Sequence, residues 1–206
     1  HGFAIAQVEH RGSMEGGAFP AALHDCKAAV CHLRSNSAAL GLDPTRFGAF
    51  GDSSGGWMAC MLGLTTQISS DGPRGLHLQG DGHGDAGVSC VCAFYPPTDF
   101  SLMDSQSLES SPIKHDDIKS PEGAFLGGIE IQKHPELTAA ANPVNYVAAA
   151  ARATKVPPFL LRHGDKDPLV PCGQSEVLAE ALEAASMPVD FQVVVGGGHG
   201  TSHFTT

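Results

Sequence analysis

The strongest indication of the fold of this chain is the sequence Gly51-Asp52-Ser53-Ser54-Gly55-Gly56. It follows a short apolar run at residues 46–50 and precedes a helix-like apolar run at residues 57–62. A strand, a glycine-x-serine-x-glycine turn and then a helix form the context in which a serine hydroxyl points clear of the backbone on both sides. We expect that Gly51 and Gly55 must both lack a side chain, because the strand and the helix pass close together there. The stretch therefore predicts that Ser53 is a nucleophile.

Two other interpretations of this stretch are weaker. Clusters of glycine and serine also form plain turns, and a short motif carries a real risk of a false match. The string also looks like the GDSGGP of chymotrypsin-like proteases, but an extra serine breaks that register. Those proteases place their histidine and aspartate before the serine, whereas the candidate partners here come after it.

Two later loops supply the partners that a serine nucleophile needs, which are a histidine base and a carboxylate that orients it. Residues 158–162 and 190–195 have the apolar character of buried strands, and the loops after them contain Asp167 and His199. Ligands bind beyond the carboxyl ends of parallel strands in open α/β sheets. The order serine, aspartate, histidine, each after its own strand, therefore predicts a triad. Asp165, two residues before Asp167, is the rival acid.

Segments along nearly the whole chain resemble the α/β-hydrolase superfamily, and within it the feruloyl-esterase-like and acetyl-esterase-like serine carboxylesterases. The matching segments are residues 19–25, 41–46, 51–56, 95–100, 141–143, 163–171 and 198–200. The resemblance implies an α/β fold with a mostly parallel sheet, helices on both faces and a cap-like insertion at about residues 96–142. It also favours Asp167 over Asp165 as the acid, because the family's aspartate precedes x-x-Val-Pro.

The activity that the resemblance implies is hydrolysis of carboxylic esters, of the feruloyl or short acyl and acetyl kind. Ser53 would form the acyl-enzyme, His199 would transfer the proton, and Asp167 would orient the imidazole. The backbone N–H of Ser54 would be one donor of the oxyanion hole. We expect that this chemistry needs no metal ion and no organic cofactor.

Three apolar side chains are candidate walls of the substrate pocket: Trp57, Phe100 and Leu169. Two alternative functions stay open. One is amide hydrolysis of the formamidase or peptidase kind, which screening nitrophenyl esters against aryl formamides and peptides would separate. The other is a non-catalytic small-molecule-binding protein, although such proteins usually lose a triad member.

The family's first strands and its His-Gly-Gly oxyanion loop have no counterpart in this sequence. The opening, His1-Gly2 onward, resembles the strand after that loop, and the family's closing helix after His199 has no counterpart either. We therefore expect residues 1–206 to form a single α/β-hydrolase domain that is shortened at both ends. About 60–100 further residues would precede His1, since single α/β domains often reach or exceed 200–250 residues.

The composition narrows the range of partners. The chain has 206 residues and a formal net charge of −10, which argues against nucleic acid or an anionic membrane as partner. A neutral or weakly charged small-molecule ester fits this balance, and no apolar run approaches the length of a membrane span. The six cysteines lack C-x-x-C spacing, so free buried thiols and a reducing, cytoplasmic setting are favoured. We expect Cys90 and Cys92 to share the buried face of one strand.

The sequence pattern also predicts the elements around these motifs. Strands are expected at residues 4–9, 47–50, 88–94, 158–162 and 190–195, and helices at residues 19–40, 54–64, 145–151 and 173–185. Residues 69–85 are rich in glycine and aspartate and are typical of a loop. Within that loop, Asp81-Gly-His83-Gly-Asp85 places three possible ligands at alternate positions, but we favour a solvated turn over a metal site.

Overall fold

Four parallel strands form one sheet in the computed structural model, which describes residues 2–65, 85–153 and 155–200. The strands are β1 (Gly48–Asp52), β2 (Cys90–Phe94), β3 (Phe159–Gly164) and β4 (Val189–Val194). They lie side by side in chain order. The predicted parallel sheet is confirmed, and the predicted loop at residues 69–85 lies outside the described residues except for Asp85.

Eight α-helices are present in the described residues, together with short 3-10 turns. Four of them are short, at α2 (Ser37–Leu40), α4 (Met103–Gln106), α5 (Pro121–Phe125) and α7 (Val147–Ala150). The longer ones are α1 (Ala21–Ser35), α3 (Ser54–Thr65), α6 (Pro135–Ala141) and α8 (Gly173–Ala184). None of the helices described here is long and apolar enough to cross a membrane.

The strand register places the carboxyl ends of all four strands at one edge of the sheet. Asp52 of β1 pairs with Phe94 of β2, and Gly164 of β3 pairs with Val194 of β4. The loops that leave these ends begin beside one another, because parallel neighbours point the same way. This edge therefore brings residues that are far apart in the sequence into one place.

The main core lies on one face of the sheet. The inward residues of β2 and β3, which are Val91, Ala93, Phe159 and Leu161, are at most 2% exposed. Helices α3 and α8 pack against this face, because right-handed crossovers between strands taken in chain order place their helices on the same side. The resemblance implied helices on both faces of the sheet. The described helices that pack on the sheet cover only one of its faces.

On the opposite face of the sheet, the prediction that Cys90 and Cys92 are buried is wrong. Cys90 is exposed and Cys92 is only partly buried, since in β2 the buried positions are Val91 and Ala93. On the same open face, Phe50 is 67% exposed. A five-residue strand in which every residue is apolar does not reveal from its sequence which alternate set faces the helices.

The predicted strand at residues 4–9 is also wrong. Residues 2–12 form neither helix nor strand, and Phe3 and Ile5 are 86% and 92% exposed. A strand needs a neighbour to satisfy its backbone N–H and C=O groups, and no strand among the described residues pairs with this segment. The segment is instead tied to α1 at Arg11, whose guanidinium forms an ion pair with Asp25 at 2.8 Å.

The predicted helix at residues 19–40 is divided into α1 and α2 at Asn36. The side-chain amide of Asn36 donates a hydrogen bond to the carbonyl of His32 at 2.8 Å, so it competes with the helical backbone at this point. The helix predicted after the serine turn at residues 54–64 matches α3 within one residue. The helix predicted at residues 145–151 is a 3-10 turn followed by α7.

The segment at residues 96–142 connects β2 to β3 through short helices and 3-10 turns. Its apolar side chains Phe100, Leu126 and Ile131 join the same core as the sheet. It also contains a buried pair, in which Nδ1 of His115 lies 3.0 Å from Oε2 of Glu122. The segment is therefore packed onto the domain, and its role as a cap stays a prediction.

One buried lysine gives the fold a testable pH dependence. Lys27 of α1 is 3% exposed and donates a hydrogen bond to the carbonyl of Thr65. Burial lowers the pKa of Lys27 from 10.5 to about 8. Between pH 8 and 10.5 the unfolded chain still holds this proton while the folded chain has lost it. The contribution of Lys27 to the free energy of unfolding therefore becomes more favourable as pH rises through this window.

We predict that Lys27→Met raises the free energy of unfolding at pH 7 by about 2 kcal/mol, because it removes a buried charge. This gain should shrink as the pH rises from about 8 to about 10.5. Urea denaturation of the variant and the wild type across this range measures the difference directly. Lys133→Met, at an exposed site paired with Glu130, is the control and should change little. A loss of stability in Lys27→Met that does not vary with pH would contradict the prediction.

Candidate active site

The turn between β1 and α3 holds Ser53 in a strained backbone conformation. Its φ of 53° lies in the left-handed region, which residues other than glycine seldom adopt. The Ser53 N–H donates a hydrogen bond to the carbonyl of Phe94 at 2.9 Å, and its own carbonyl accepts one from the Trp57 N–H at 3.0 Å. The backbone of Ser53 is thus fixed by the neighbouring strand on one side and by the first turn of α3 on the other.

The glycines of the turn differ in how much space they have. A Cβ on Gly51 would lie 2.2 Å from the carbonyl oxygen of Gly55, which no structure tolerates without a backbone shift. A Cβ on Gly55 would meet nothing within 4 Å, whereas one on Gly56 would lie 2.9 Å from the carbonyl oxygen of Phe94. The prediction that Gly55 must lack a side chain is wrong: the close approach involves the backbone of Gly55, and the second crowded position is Gly56.

Asp167 lies in the loop after β3 and is 2% exposed. Its Oδ1 accepts hydrogen bonds from the backbone N–H groups of Leu169 and Val170 at 2.8 and 2.9 Å. Its Oδ2 accepts one from Nδ1 of His199 at 2.7 Å. Burial alone would raise the pKa of Asp167, but these donors and the nearby His163 imidazole outweigh it and lower the pKa far below its usual range. The carboxyl group is therefore ionised at neutral pH.

The imidazole of His199 bridges the acid and the serine. A carboxylate can only accept, so the proton between His199 and Asp167 is on Nδ1. The other ring nitrogen, Nε2, is then free of hydrogen and lies 3.1 Å from Oγ of Ser53. In this tautomer Nε2 accepts the hydroxyl hydrogen. The structure thus brings the three residues Ser53, Asp167 and His199 into one hydrogen-bonded chain.

Asp165, the rival acid, has a different position. Its Oδ1 accepts the backbone N–H of Gly196 at 2.6 Å, so it supports the loop that carries His199. The same two loops touch at Gly164 and Gly197, where a Cβ on Gly164 would lie 2.1 Å from the Gly197 carbonyl oxygen. The acid loop and the histidine loop are therefore held together by backbone contact.

A second histidine, which the sequence analysis missed, lies behind the acid. His163 is fully buried; its Nε2 donates a hydrogen bond to the carbonyl of Val170 at 2.9 Å, and its Nδ1 lies 2.7 Å from Oγ of Ser175. Because the carbonyl can only accept, Nε2 carries the hydrogen and Nδ1 accepts from the serine hydroxyl. This imidazole braces the turn that presents Asp167. A histidine at the carboxyl end of a buried strand, four residues before Asp167, is the sequence signal that indicates it.

Tyr95, the residue after β2, was missed as well. Its ring centroid lies 4.4 Å from that of His199, at an interplanar angle of 53°. Its hydroxyl donates a hydrogen bond to Oδ2 of Asp52, the residue before Ser53, at 2.9 Å. Burial, together with this contact to a carboxylate, raises the pKa of Tyr95 well above its usual value. The phenol therefore keeps its hydrogen.

The remaining predicted site residues divide into two groups. Ser54 is the first residue of α3, so its N–H belongs to the first turn, where backbone N–H groups have no partner within the helix. Leu169 is partly exposed beside the acid. Trp57 and Phe100 are 2% and 4% exposed, and the indole N–H of Trp57 donates to the carbonyl of Ala141. Both of these rings pack in the core, so they offer no surface to a substrate.

The described parts of the chain contain no cluster of three or more His, Cys, Asp or Glu side chains arranged to hold a metal ion. The motif Asp81-Gly-His83-Gly-Asp85 lies outside the described residues except for Asp85. All six cysteines are free.

The chain belongs to the BD-FAE family, whose model matches residues 1–182. Among curated proteins, it is 29% identical to the esterase LipQ of Mycobacterium tuberculosis over 81% of this chain and 35% of the relative. It is 27% identical to the carboxylesterase NlhH of the same organism over 97% of this chain and 57% of the relative. The chain thus spans between about a third and about three fifths of the length of these relatives.

Solved structures are similar as well. A truncated form of a carbohydrate esterase from gut microbiota superposes with a TM-score of 0.80 at 29% identity, over 96% of this chain and 67% of that one. A bifunctional GH43-CE protein of Bacteroides eggerthii gives a TM-score of 0.78 at 30% identity, over 93% of this chain and 26% of that one. The chain therefore has the α/β-hydrolase fold that the sequence predicted.

Gly51 is crowded by a backbone carbonyl and Gly55 is not, so the same substitution should affect stability differently at the two positions. We expect Gly51→Ala to lower the free energy of unfolding by about 2 kcal/mol or more, because its Cβ would overlap a backbone carbonyl. Gly55→Ala should change the free energy of unfolding by less than about 0.5 kcal/mol, since its Cβ has open space. Urea denaturation of the two variants compares them directly. Equal destabilisation by both would contradict this account of the turn.

Proposed function

We propose that this chain hydrolyses carboxylic esters through an acyl-enzyme on Ser53. The observation that carries the proposal is the bridge made by His199, whose Nδ1 lies 2.7 Å from Asp167 and whose Nε2 lies 3.1 Å from Ser53 Oγ. A nucleophile and a base within hydrogen-bond reach, with a third group orienting the base, is the arrangement of covalent acyl transfer. Membership of the BD-FAE family and the esterase names of the relatives support it.

The first half of the reaction forms the acyl-enzyme. Ser53 Oγ attacks the acyl carbon while its proton moves to Nε2 of His199, and Asp167 stabilises the imidazolium that results. The carbonyl oxygen becomes an oxyanion beside the first turn of α3, where the N–H of Ser54 is one donor. The intermediate then collapses, the C–O bond to the alcohol breaks, and the alcohol leaves with the proton from His199.

The second half restores the enzyme. A water molecule gives its proton to Nε2 of His199 and attacks the acyl carbon, and the bond to Ser53 Oγ then breaks. The serine takes the proton back from His199, and the carboxylic acid is released. The ionised Asp167 holds the same tautomer of His199 through both halves, because its oxygen accepts the Nδ1 hydrogen throughout.

We further propose that the substrates are feruloyl or acetyl esters on carbohydrate. The support comes from the two similar structures, one a carbohydrate esterase and one a bifunctional GH43-CE protein. The net charge of −10 fits a substrate without negative charge, since an anion would be repelled. Leu169, partly exposed beside the acid, is an apolar candidate for contact with the acyl group.

We predict that Ser53→Ala abolishes hydrolysis of p-nitrophenyl acetate and leaves the fold intact. Loss of a triad nucleophile should lower kcat by several orders of magnitude, with residual catalysis of about 10³-fold over water still possible from the rest of the site. Steady-state kinetics and circular dichroism on the full-length protein test this. More than about a tenth of the wild-type rate in a folded Ser53→Ala variant would refute the proposal, since the triad could not then be responsible.

Asp165 and Asp167, the two aspartates that follow β3, allow a matched pair of substitutions to test which one is the acid. We expect Asp167→Asn to lower kcat by about 10⁴-fold, because the amide can donate to Nδ1 and thereby stabilise the wrong tautomer of His199. Asp165→Asn keeps an oxygen that can accept the Gly196 N–H, so its kcat should stay within about tenfold of the wild type. The comparison uses the same ester and the same buffer. The opposite ranking of the two variants would show that the acid has been assigned to the wrong residue.

The substrate proposal predicts a preference for small acyl groups. Rates on methyl ferulate, on acetylated xylan and on a long-chain triglyceride should be compared for the full-length protein, with Ser53→Ala as the background control. We expect kcat/KM for the first two to exceed that for the triglyceride by at least about tenfold, which corresponds to 1.4 kcal/mol of difference in transition-state binding. A preference for the triglyceride would contradict the substrate class while leaving the triad assignment untouched.

A further inference from the structure

The two hydrogen bonds of His199 leave one motion of its ring only weakly restrained. The two bonds fix the positions of the ring nitrogens, with Nδ1 2.7 Å from Asp167 and Nε2 3.1 Å from Ser53 Oγ. Rotation of the ring about the axis that joins these two nitrogens changes neither distance much. Such a tilt bends both hydrogen bonds, because the Nδ1 hydrogen and the Nε2 lone pair each lie at an angle to this axis. A contact with the ring itself is therefore needed to limit it.

The loop that carries His199 is anchored by hydrogen bonds at Gly196 and Gly197, but these bonds hold its backbone and not the imidazole ring. His199 is flanked by Gly198 and Gly200, and Gly196 and Gly200 have φ values of 77° and 155°. Glycine has more conformational freedom than any other residue, so a loop of this composition transmits little rigidity to the side chain. The ring of His199 therefore depends on side-chain contacts for its orientation.

Tyr95 packs against this imidazole ring. The two ring centroids are 4.4 Å apart at an interplanar angle of 53°, a tilted contact within the range of favourable aromatic pairs. The second imidazole, that of His163, lies on the tyrosine as well, at 6.3 Å and 72°. The phenol ring thus contacts both the histidine that reaches the serine and the one that braces the acid turn.

Tyr95 is itself buried and held by two hydrogen bonds. Its side chain is 1% exposed, its hydroxyl donates to Asp52 at 2.9 Å, and its N–H donates to the carbonyl of Arg162 at 2.8 Å. Its φ of 38° is in the left-handed region, a strained conformation for a non-glycine residue that persists only where the surroundings enforce it. A residue fixed so firmly can act as a rigid stop for a neighbouring ring.

We propose that Tyr95 is a positioning residue for His199, and that Asp52 holds the tyrosine ring in place through its hydroxyl. This inference rests on the proposed function of Ser53 and His199. The assignment gives the second residue of the glycine-x-serine-x-glycine turn a role: Asp52 joins the turn that carries the nucleophile to the ring that orients the base.

The main test removes the ring. We expect Tyr95→Leu to lower kcat for p-nitrophenyl acetate by about 10- to 100-fold in the full-length protein, because a small misplacement of a reacting group has effects of this size. KM should stay within about twofold, since the ring touches the base and not the ester. Tyr95→Phe keeps the ring and should lose no more than about fivefold in kcat, the loss expected from greater ring mobility without the hydroxyl bond.

The chain offers a matched control in its second tyrosine. Tyr146 is 3% exposed and its hydroxyl also makes a hydrogen bond, to the carbonyl of Ala140 at 2.6 Å, but its ring has no contact with His199 in the described residues. Tyr146→Leu should lower the thermal unfolding midpoint about as much as Tyr95→Leu and leave kcat within about twofold of the wild type. Equal kcat in Tyr95→Leu and Tyr146→Leu would overturn the proposal.

A second measurement applies if Tyr95→Leu fails to fold. Tyr95→Phe and Asp52→Ala each break the bond between the hydroxyl and the carboxylate, so their effects on kcat should not multiply in the double variant. Asp52→Asn keeps an acceptor oxygen and should restore most of the kcat lost in Asp52→Ala. Multiplying effects, or no recovery in Asp52→Asn, would show that this hydrogen bond does not connect Asp52 to the base.

Ser53→Ala belongs in the same series of assays. An active Ser53→Ala variant would remove the proposed function and this inference with it. An inactive Ser53→Ala variant together with wild-type kcat in Tyr95→Leu would overturn only the role of Tyr95.

Discussion

The close approach of backbones at the carboxyl edge of the sheet is the constraint on which the site depends. Near the end of β1, Gly51 lies against the carbonyl of Gly55, and at the last residue of β3, Gly164 lies against the carbonyl of Gly197. The first contact folds the serine turn back onto its helix, and the second joins the acid loop to the histidine loop. Because β1, β3 and β4 end at one edge, the two contacts together bring three distant segments within hydrogen-bond distance.

The buried charge of Asp167 adds an electrostatic constraint to this geometric one. An unpaired carboxylate in a protein interior costs several kcal/mol, so the donors around Asp167 are needed for the loop to fold at all. Two of these donors are backbone N–H groups of the same turn, and the third is His199. The bonds that make burial of the charge possible are therefore also the ones that select the tautomer of His199 and leave Nε2 facing the serine.

Features with local sequence signals could be predicted, and those that depend on distant neighbours could not. The serine turn and helix α3 follow from glycines and apolar residues within a dozen positions, so their limits were found to within one residue. The burial of Cys90, the strand at residues 4–9 and the need for glycine at position 55 were predicted wrongly. Each depends on which strand, helix or carbonyl lies beside the residue in three dimensions. The placement of Trp57 and Phe100 in the core has the same origin, since an apolar side chain is equally suited to a core and to a pocket wall.

Strand β2 shows why such tertiary relations matter to the site. It contributes none of the three residues of the proposed triad, and nothing in Tyr95-Pro96-Pro97 suggests chemistry. Yet β2 lies between β1 and β3, and its end touches both partners: the Phe94 carbonyl accepts the Ser53 N–H, and the Tyr95 ring lies on His199. A small shift of the end of β2 would therefore displace the serine and the imidazole in the same direction. Attaching Ser53 and His199 to one central strand keeps the distance between them steadier than attaching each to a separate support.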